Sequence, residues 1–241
     1  ELIYNDEIGR RVAMMGFQGI FTEGHENVLG MRTPHVLYNH PDFPQFRIFL
    51  RNYRLSDDIA FRFMEGGAPL TTEKFMNWLD GIPPQEPFVN LAMDYETFGE
   101  HQKVTTGIFD FLDNFLMAVA QSGRYKMLLP SEALALPDTG KTLSVEKYLS
   151  WADQERDLSA WLGNDMQRDA FDSLIRLEGD IKDLLDRSLL SCWRSLQTSD
   201  HFYYMCTKDM ADGEVHKYFT PYSSPYLAFI NYMNVLSDFE I

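Results

Sequence analysis

The chain has 241 residues, 45% of them hydrophobic and 14% aromatic, a packed composition that excludes intrinsic disorder. Its formal net charge of −15 argues against nucleic acid and anionic membrane surfaces as partners, and no apolar run approaches the ~20 residues of a membrane helix. Its two cysteines, Cys192 and Cys206, form neither a disulfide framework nor a metal-ligand spacing.

Both cysteines read as buried free thiols, which favours a reducing, cytoplasmic compartment. The sequence starts at Glu1 rather than Met, so it is expected to belong to a longer or processed reading frame.

In chain order, Asp6 is placed to cap a helix running to about Met15, with Ile8, Val12 and Met15 at helical spacing and Gly16 at its end. Phe17 to Thr22 reads as a short strand that delivers Glu23, Gly24, His25 and Glu26 at its far end. Leu29 to Pro44, interrupted by Pro34 and Pro41, reads as a long loop with His35 and His40 at the surface. Phe46 to Leu50 reads as a strand ending in Arg51, Asn52, Tyr53 and Arg54. Ser56 suits an N-cap, with Asp57 and Asp58 in the first turn of a helix to Met64. A helix over Thr72 to Trp78 follows, then a turn, then an apolar run from Phe88 to Met93 short enough for a buried strand.

Past Gln102, the spacing predicts a long helix over Thr106 to Gln121, with Phe109, Leu112, Phe115, Leu116 and Val119 on its apolar side. Lys126 to Leu129 reads as a short strand stopped by Pro130, and Ser131 as the cap of a brief helix. From Val145 onward the pattern is mostly helical. A long zone spans Asp165 to Leu190, broken near Gly179, and a last helix starts at Pro225 with Tyr226, Phe229, Met233 and Leu236 on one face. His216, in the tail, carries no signal. The alternation of strands and helices predicts a parallel α/β architecture over residues 1–140, and residues 141–241 read as a helical region packed on it.

The densest chemistry lies in Asp94-Tyr95-Glu96-Thr97-Phe98-Gly99-Glu100-His101, directly after the Phe88 to Met93 run. Acids at the end of a buried strand have rigid support behind and partial desolvation in front, which acid/base chemistry needs. The same pattern also fits a strand running into a solvated acidic loop.

Met93 to His101 resembles the fourth sequence motif of glycoside hydrolase family 57, in its α-amylase branch. Glu1-Leu2-Ile3-Tyr4-Asn5 resembles the end of that family's third motif, and Gln197 to Met205, with Asp200 and His201, resembles its fifth. The region Glu23 to Tyr38, the run Asn52 to Phe61 and the tail from Asp212 to Glu240 are similar to the same branch. The family's first two motifs have no counterpart here, so the chain resembles the carboxy-terminal part of such an enzyme, beginning at the nucleophile motif.

The resemblance implies an α/β fold built as an incomplete (β/α)7 barrel followed by a helical region. It implies hydrolysis or transfer of α-1,4-glucosidic bonds with retention, needing no cofactor and no metal. Glu1 is then the nucleophile and Asp94 the general acid/base, and the partner is an α-glucan or malto-oligosaccharide. For Glu96, a role at the sugar stands beside that of a buried structural partner. His101 either binds a sugar hydroxyl, steadies Asp94, or is structural. Asp200 and His201 are candidates for substrate contact. Trp151 and Trp161 either stack on pyranose rings or belong to the core, and Trp193 reads as core. Glu23 and His25 either line the same mouth or sit on a solvated loop, and Glu100 reads as a solvated charge. Two other readings share these residues: a 4-α-glucanotransferase or branching enzyme, and a non-catalytic glucan-binding relative.

Overall fold

A parallel strand pair sets the geometry of everything around Arg51. In the computed structural model, which describes residues 1–208 and 220–239, strand β1 (Gly19–Glu23) runs parallel to a strand at Arg47–Arg51. Between them in sequence lies β2 (Tyr38–Asn39), so the Arg47–Arg51 strand is β3, the centre of a three-stranded sheet in the order β1-β3-β2. β2 joins antiparallel. β3 is buried along its whole length, as expected of a strand covered on both faces.

Contacts divide the chain into two units: Leu2–Leu149, and Glu1 together with the residues from Ser150 onward. In the first unit one apolar cluster covers the sheet, with Tyr4, Val36, Tyr38, Ile48, Leu50 and Leu143 fully or nearly fully enclosed. A second gathers Ile59, Phe63, Phe75, Ile108, Phe111 and Phe115 from helices α3 (Tyr53–Ala60), α4 (Thr72–Asp80) and α5 (Ile108–Gln121) and the turn after α3. Phe75 meets Phe111 and Phe115 edge-on at 5.8 and 5.1 Å, the packing that ring quadrupoles favour.

Several elements differ from their sequence reading, each for a local reason. The first helix, α1 (Asp6–Met14), is capped by Asn5, whose Oδ1 accepts from the Ile8 N–H at 2.9 Å. The Asp6 carboxylate is instead engaged by the Val145 N–H and the Ser144 hydroxyl. The buried residue of α1 is Gly9, while Met15 is 73% exposed. A Cβ at Gly9 would lie 2.6 Å from the His40 ring and 2.7 Å from the Tyr4 hydroxyl, so the helix approaches here only because position 9 has no side chain. α3 starts at an Asn52 cap, four residues before the expected Ser56 cap, and Ser56 is buried inside it. On α5 the buried stripe is Ile108, Phe111, Phe115 and Val119, whereas Phe109 and Leu116 are each 44% exposed.

His40 is enclosed rather than at the surface. Its Nε2–H donates to the Asp6 carbonyl at 2.8 Å, and its Nδ1 accepts from the Asp42 N–H at 3.1 Å. Lys126 to Leu129 forms no strand, and Phe88 to Met93 is extended without belonging to a ladder. Among the described residues the sheet has three strands and closes no barrel.

The second unit is helical, with short helices at Ser159–Leu162, Glu178–Asp183 and Ser199–Tyr203 and longer ones at Asp165–Arg176, Arg187–Ser195 and Pro225–Ser237. The stretch from Val145 to Leu158, expected to be helical, is irregular. The long zone breaks at Leu177, not at Gly179, which lies within the next helix. Gln167 ties this unit together: its side chain accepts from the Gly163 and Asn164 N–H groups and donates to the Ala160 and Phe202 carbonyls. Trp193 is core, donating its indole N–H to the Leu174 carbonyl. Tyr232 does the same toward Leu196 from the last helix, whose buried residues are Ala228, Tyr232 and Leu236. Cys206 is buried and burial pushes its thiol pKa up, whereas Cys192 is exposed. His216 lies outside the described residues.

Candidate active site

Parallel strands in register place their carboxy ends side by side. β1 ends at Glu23 and β3 at Arg51, and the two residues are register partners. Arg51 Nη1 donates to Glu23 Oε2 at 2.9 Å, Nη2 to the Asp57 carboxylate from α3, and Nε to the Ala92 carbonyl at 2.6 Å. The side chains of Glu23 and Arg51 are 0% and 3% exposed, so the guanidinium is a buried charge compensated by two carboxylates. Gly24 follows because the Arg51 carbonyl lies 2.2 Å from where a Cβ would stand.

The Ala92 contact ties this group to the segment that carries Asp94. That segment is held at alternate residues: Phe88 N–H to the His35 carbonyl at 3.1 Å, Asn52 N–H to the Asn90 carbonyl at 2.8 Å, and Ala92 N–H to Ser56 Oγ at 3.2 Å. Helix α3 and a loop thus supply partners that a neighbouring strand would otherwise provide. Asn52 has a further role. Its Oδ1 caps α3, so its Nδ2 faces His35 Nε2 at 2.6 Å. His35 Nε2 therefore accepts, and Nδ1 carries the proton donated to Glu86 at 2.8 Å. Burial works against the Glu86 carboxylate, but hydrogen bonds from Thr33 and His35 outweigh it and hold its pKa below the ordinary value.

Asp94 is exposed and precedes a 3₁₀ turn at Tyr95–Thr97. The loop then folds back on itself. The Glu96 carbonyl accepts from the Glu100 and His101 N–H groups at 3.1 and 2.9 Å, and Gly99 N–H reaches the Gln102 carbonyl at 3.0 Å. Gly99 takes φ +123°, which this return requires. Gln102 anchors the loop to α3 through the Ala60 carbonyl at 2.9 Å. His101 stacks on Phe61 at 5.7 Å, with a buried Nδ1 that has no hydrogen-bond partner. Glu96 is exposed, and so is Tyr95, at 94%. Glu100 is exposed and lies 3.6 Å from Lys103.

Beside the β1 and β3 ends, Glu26 accepts from the Tyr53 hydroxyl and from Arg54. The phenol first, then the guanidinium, bring the Glu26 carboxyl down to about 2. His25 lies over Tyr53 at 5.0 Å between ring centroids.

In the helical unit, Glu1 is held at three points. Its carbonyl accepts from the Trp151 N–H at 3.2 Å, its Oε2 from the Trp151 indole N–H at 3.1 Å, and its Oε1 from the Ser199 hydroxyl at 3.1 Å. The next residue, Leu2, takes a left-handed φ of 53°, which disfavours an L-residue by about 1–2 kcal/mol. Its carbonyl accepts from Thr22 Oγ1 at 3.0 Å. Asp200 is exposed in the first turn of Ser199–Tyr203, and half-buried His201 packs beside the Tyr232 ring at 5.5 Å. Trp161 is 5% exposed and lies against Tyr203, so it takes the core alternative and offers no face to a sugar.

Within the first unit the structure gathers Glu23, Arg51, Asp57 and the approach to Asp94. Within the second it gathers Glu1, Trp151 and Ser199. Sequence reasoning missed Arg51, Asp57 and Ser199 as members of these groups. The acid and the arginine ending successive parallel strands were the available signal for the first.

The family model described as glycosyl hydrolase family 57 matches residues 1–146. A protein of Methanocaldococcus jannaschii named "Putative alpha-amylase" is 41% identical over 253 aligned positions, which cover 100% of this chain and 53% of the relative. The chain thus spans about half the length of that curated relative. By class, these matches place the chain among the glycosyl hydrolase families. Within the class, the chain belongs to family 57. Among the described residues, no helix is long and apolar enough to cross a membrane.

Proposed function

We propose that this chain supplies the catalytic carboxyl pair of a retaining α-glucan hydrolase of the α-amylase type, acting on α-1,4-linked glucan in the cytoplasm. The observation that carries the reading is the family match over residues 1–146, which spans both Glu1 and Asp94. The name of the Methanocaldococcus jannaschii relative supports the choice of α-glucan. On this reading β1, β3 and the extended run before Asp94 are an arc of an incomplete (β/α)7 barrel. Glu23, Arg51 and Asp94 then stand at the strand ends, where such barrels carry their chemistry.

A retaining double displacement requires two carboxyl groups about 5–5.5 Å apart. The Glu1 carboxylate forms a bond to the anomeric carbon while the bond from that carbon to the glycosidic oxygen breaks. Protonated Asp94 gives its proton to the departing oxygen. Water then attacks the glycosyl ester, Asp94 takes back a proton, and Glu1 leaves as carboxylate. No cofactor or metal enters these steps. Glu96, His101, Asp200 and His201 are proposed to contact the sugar.

The test is incubation of the intact protein that carries this chain with maltoheptaose. Products are resolved by length, and the first-formed anomer is read by proton NMR. Short α-anomeric products are expected. A ladder rising above the starting length would assign the transferase branch instead. β-Anomeric products would overturn the double displacement, and unchanged maltoheptaose would overturn the enzyme.

A further inference from the structure

We infer that Ser199, together with the indole N–H of Trp151, is a positioning residue for the Glu1 carboxylate, and that Trp151 acts through its edge rather than as a stacking face for sugar. This rests on the reading of Glu1 as nucleophile.

The terminal torsion of a glutamate is broad, so an unsupported carboxylate samples many orientations. Here each oxygen has its own donor: Ser199 Oγ to Oε1 and Trp151 Nε1 to Oε2, both at 3.1 Å. The donors come from segments far apart in the chain, so the carboxylate cannot rotate without breaking both bonds. Each oxygen offers two lone pairs and uses one on its donor, which leaves capacity for bond formation. Both donors are neutral, so they fix direction without an ion pair that would quench a nucleophile. The Trp151 main chain adds the third contact, to the Glu1 carbonyl at 3.2 Å, and fixes the backbone from which the side chain projects. Serine and tryptophan therefore supply for a two-carboxylate site the orientation that a bare loop would lack.

The experiment compares Ser199→Ala, Ser199→Thr, Trp151→Phe and Glu1→Gln in the intact protein, with maltoheptaose and with an aryl maltoside carrying an activated leaving group. Loss of a hydrogen bond to a charged group predicts a kcat roughly tenfold lower or more for Ser199→Ala and for Trp151→Phe, with KM little changed. Ser199→Thr, which keeps the hydroxyl, should recover most of the rate. The defects should persist with the activated leaving group, because attack rather than proton donation is impaired. A purely structural role would instead lower the melting temperature and would not divide kcat from KM. The inference is overturned if Glu1→Gln is inactive while Ser199→Ala and Trp151→Phe keep the parent kcat. It is also overturned if their losses fall on KM alone, as a sugar platform predicts. An active Glu1→Gln would instead remove the nucleophile assignment itself.

Discussion

Glu23 and Arg51 are register partners on neighbouring parallel strands and, at the same time, an ion pair sealed from water at 2.9 Å. Pairing and charge compensation fall on the same two residues, with Asp57 completing the group from α3. Replacing Arg51 by Met removes the cation that faces two buried carboxylates. The expected loss is about 3–5 kcal/mol of folding free energy, read by denaturant unfolding. A loss under ~1 kcal/mol would mean that water reaches the group, as it does for surface pairs.

Asp94 is exposed and its side chain makes no cap bond to the turn it precedes. Asp94→Asn in the intact protein should lower turnover of maltoheptaose by roughly 10²–10⁴-fold with an unchanged melting curve. The deficit should shrink on an aryl maltoside whose leaving group needs no proton. Retained turnover on maltoheptaose would remove Asp94 from the acid/base role.

Gly9 is the contact point of α1 with Tyr4 and His40. Gly9→Ala gains helix propensity but forces the His40 ring and the Tyr4 hydroxyl to move. Overpacking is expected to win by about 1–3 kcal/mol, measured as a lowered midpoint. A stabilised variant would show that the ring shifts freely.

Asp138 faces Arg47, Asn39 and the Gly140 N–H. The Arg47 hydrogen bond, then the Gly140 and Asn39 ones, lower its carboxyl to about 2. A carboxyl lowered on folding stabilises fully above its unfolded value, near 3.9, and that contribution fades as pH falls toward 2. Asp138→Asn should therefore flatten the stability curve between about pH 4 and pH 2. Parallel curves for the two proteins across that window would show that Asp138 titrates alike in both states.

Gln167 uses four hydrogen bonds in a fully enclosed position. Gln167→Leu removes the partner of the Gly163 and Asn164 N–H groups and of the Ala160 carbonyl, while the Phe202 carbonyl keeps the Met205 N–H; the cost is about 1–3 kcal/mol for each group that water cannot reach. The melting temperature should fall by several degrees at least, and hydrogen exchange at Gly163 and Asn164 should quicken. Unchanged exchange there would mean the backbone finds other partners.

Elements with a strong local period were legible: α4, the last helix from Pro225, and the core of β3. Their ends are fixed by nearby side chains. The cap of α3 was misread because Ser56 and Asn52 have similar capping chemistry, and only burial of Ser56 against Ala92 decides between them. Phe88 to Met93 has the composition of a strand, but its partners are a loop carbonyl, a cap residue and a serine hydroxyl, which periodicity cannot encode. Asp94 and Glu1 were legible as candidates through motif likeness. Ser199 was not, because its meaning depends on a residue at the other end of the chain.

The antiparallel bridge between Tyr4 and Leu149 joins the third and the last residue of the sheet-bearing unit. Topologically, residues 2–149 form a ring whose ends already touch, with backbone bonds of 2.8 Å in both directions across the seam. Circular permutation of this unit therefore asks little of the fold. A few linking residues close the seam, and new termini fit between Gly66 and Gly67, an exposed turn with open space around both glycines.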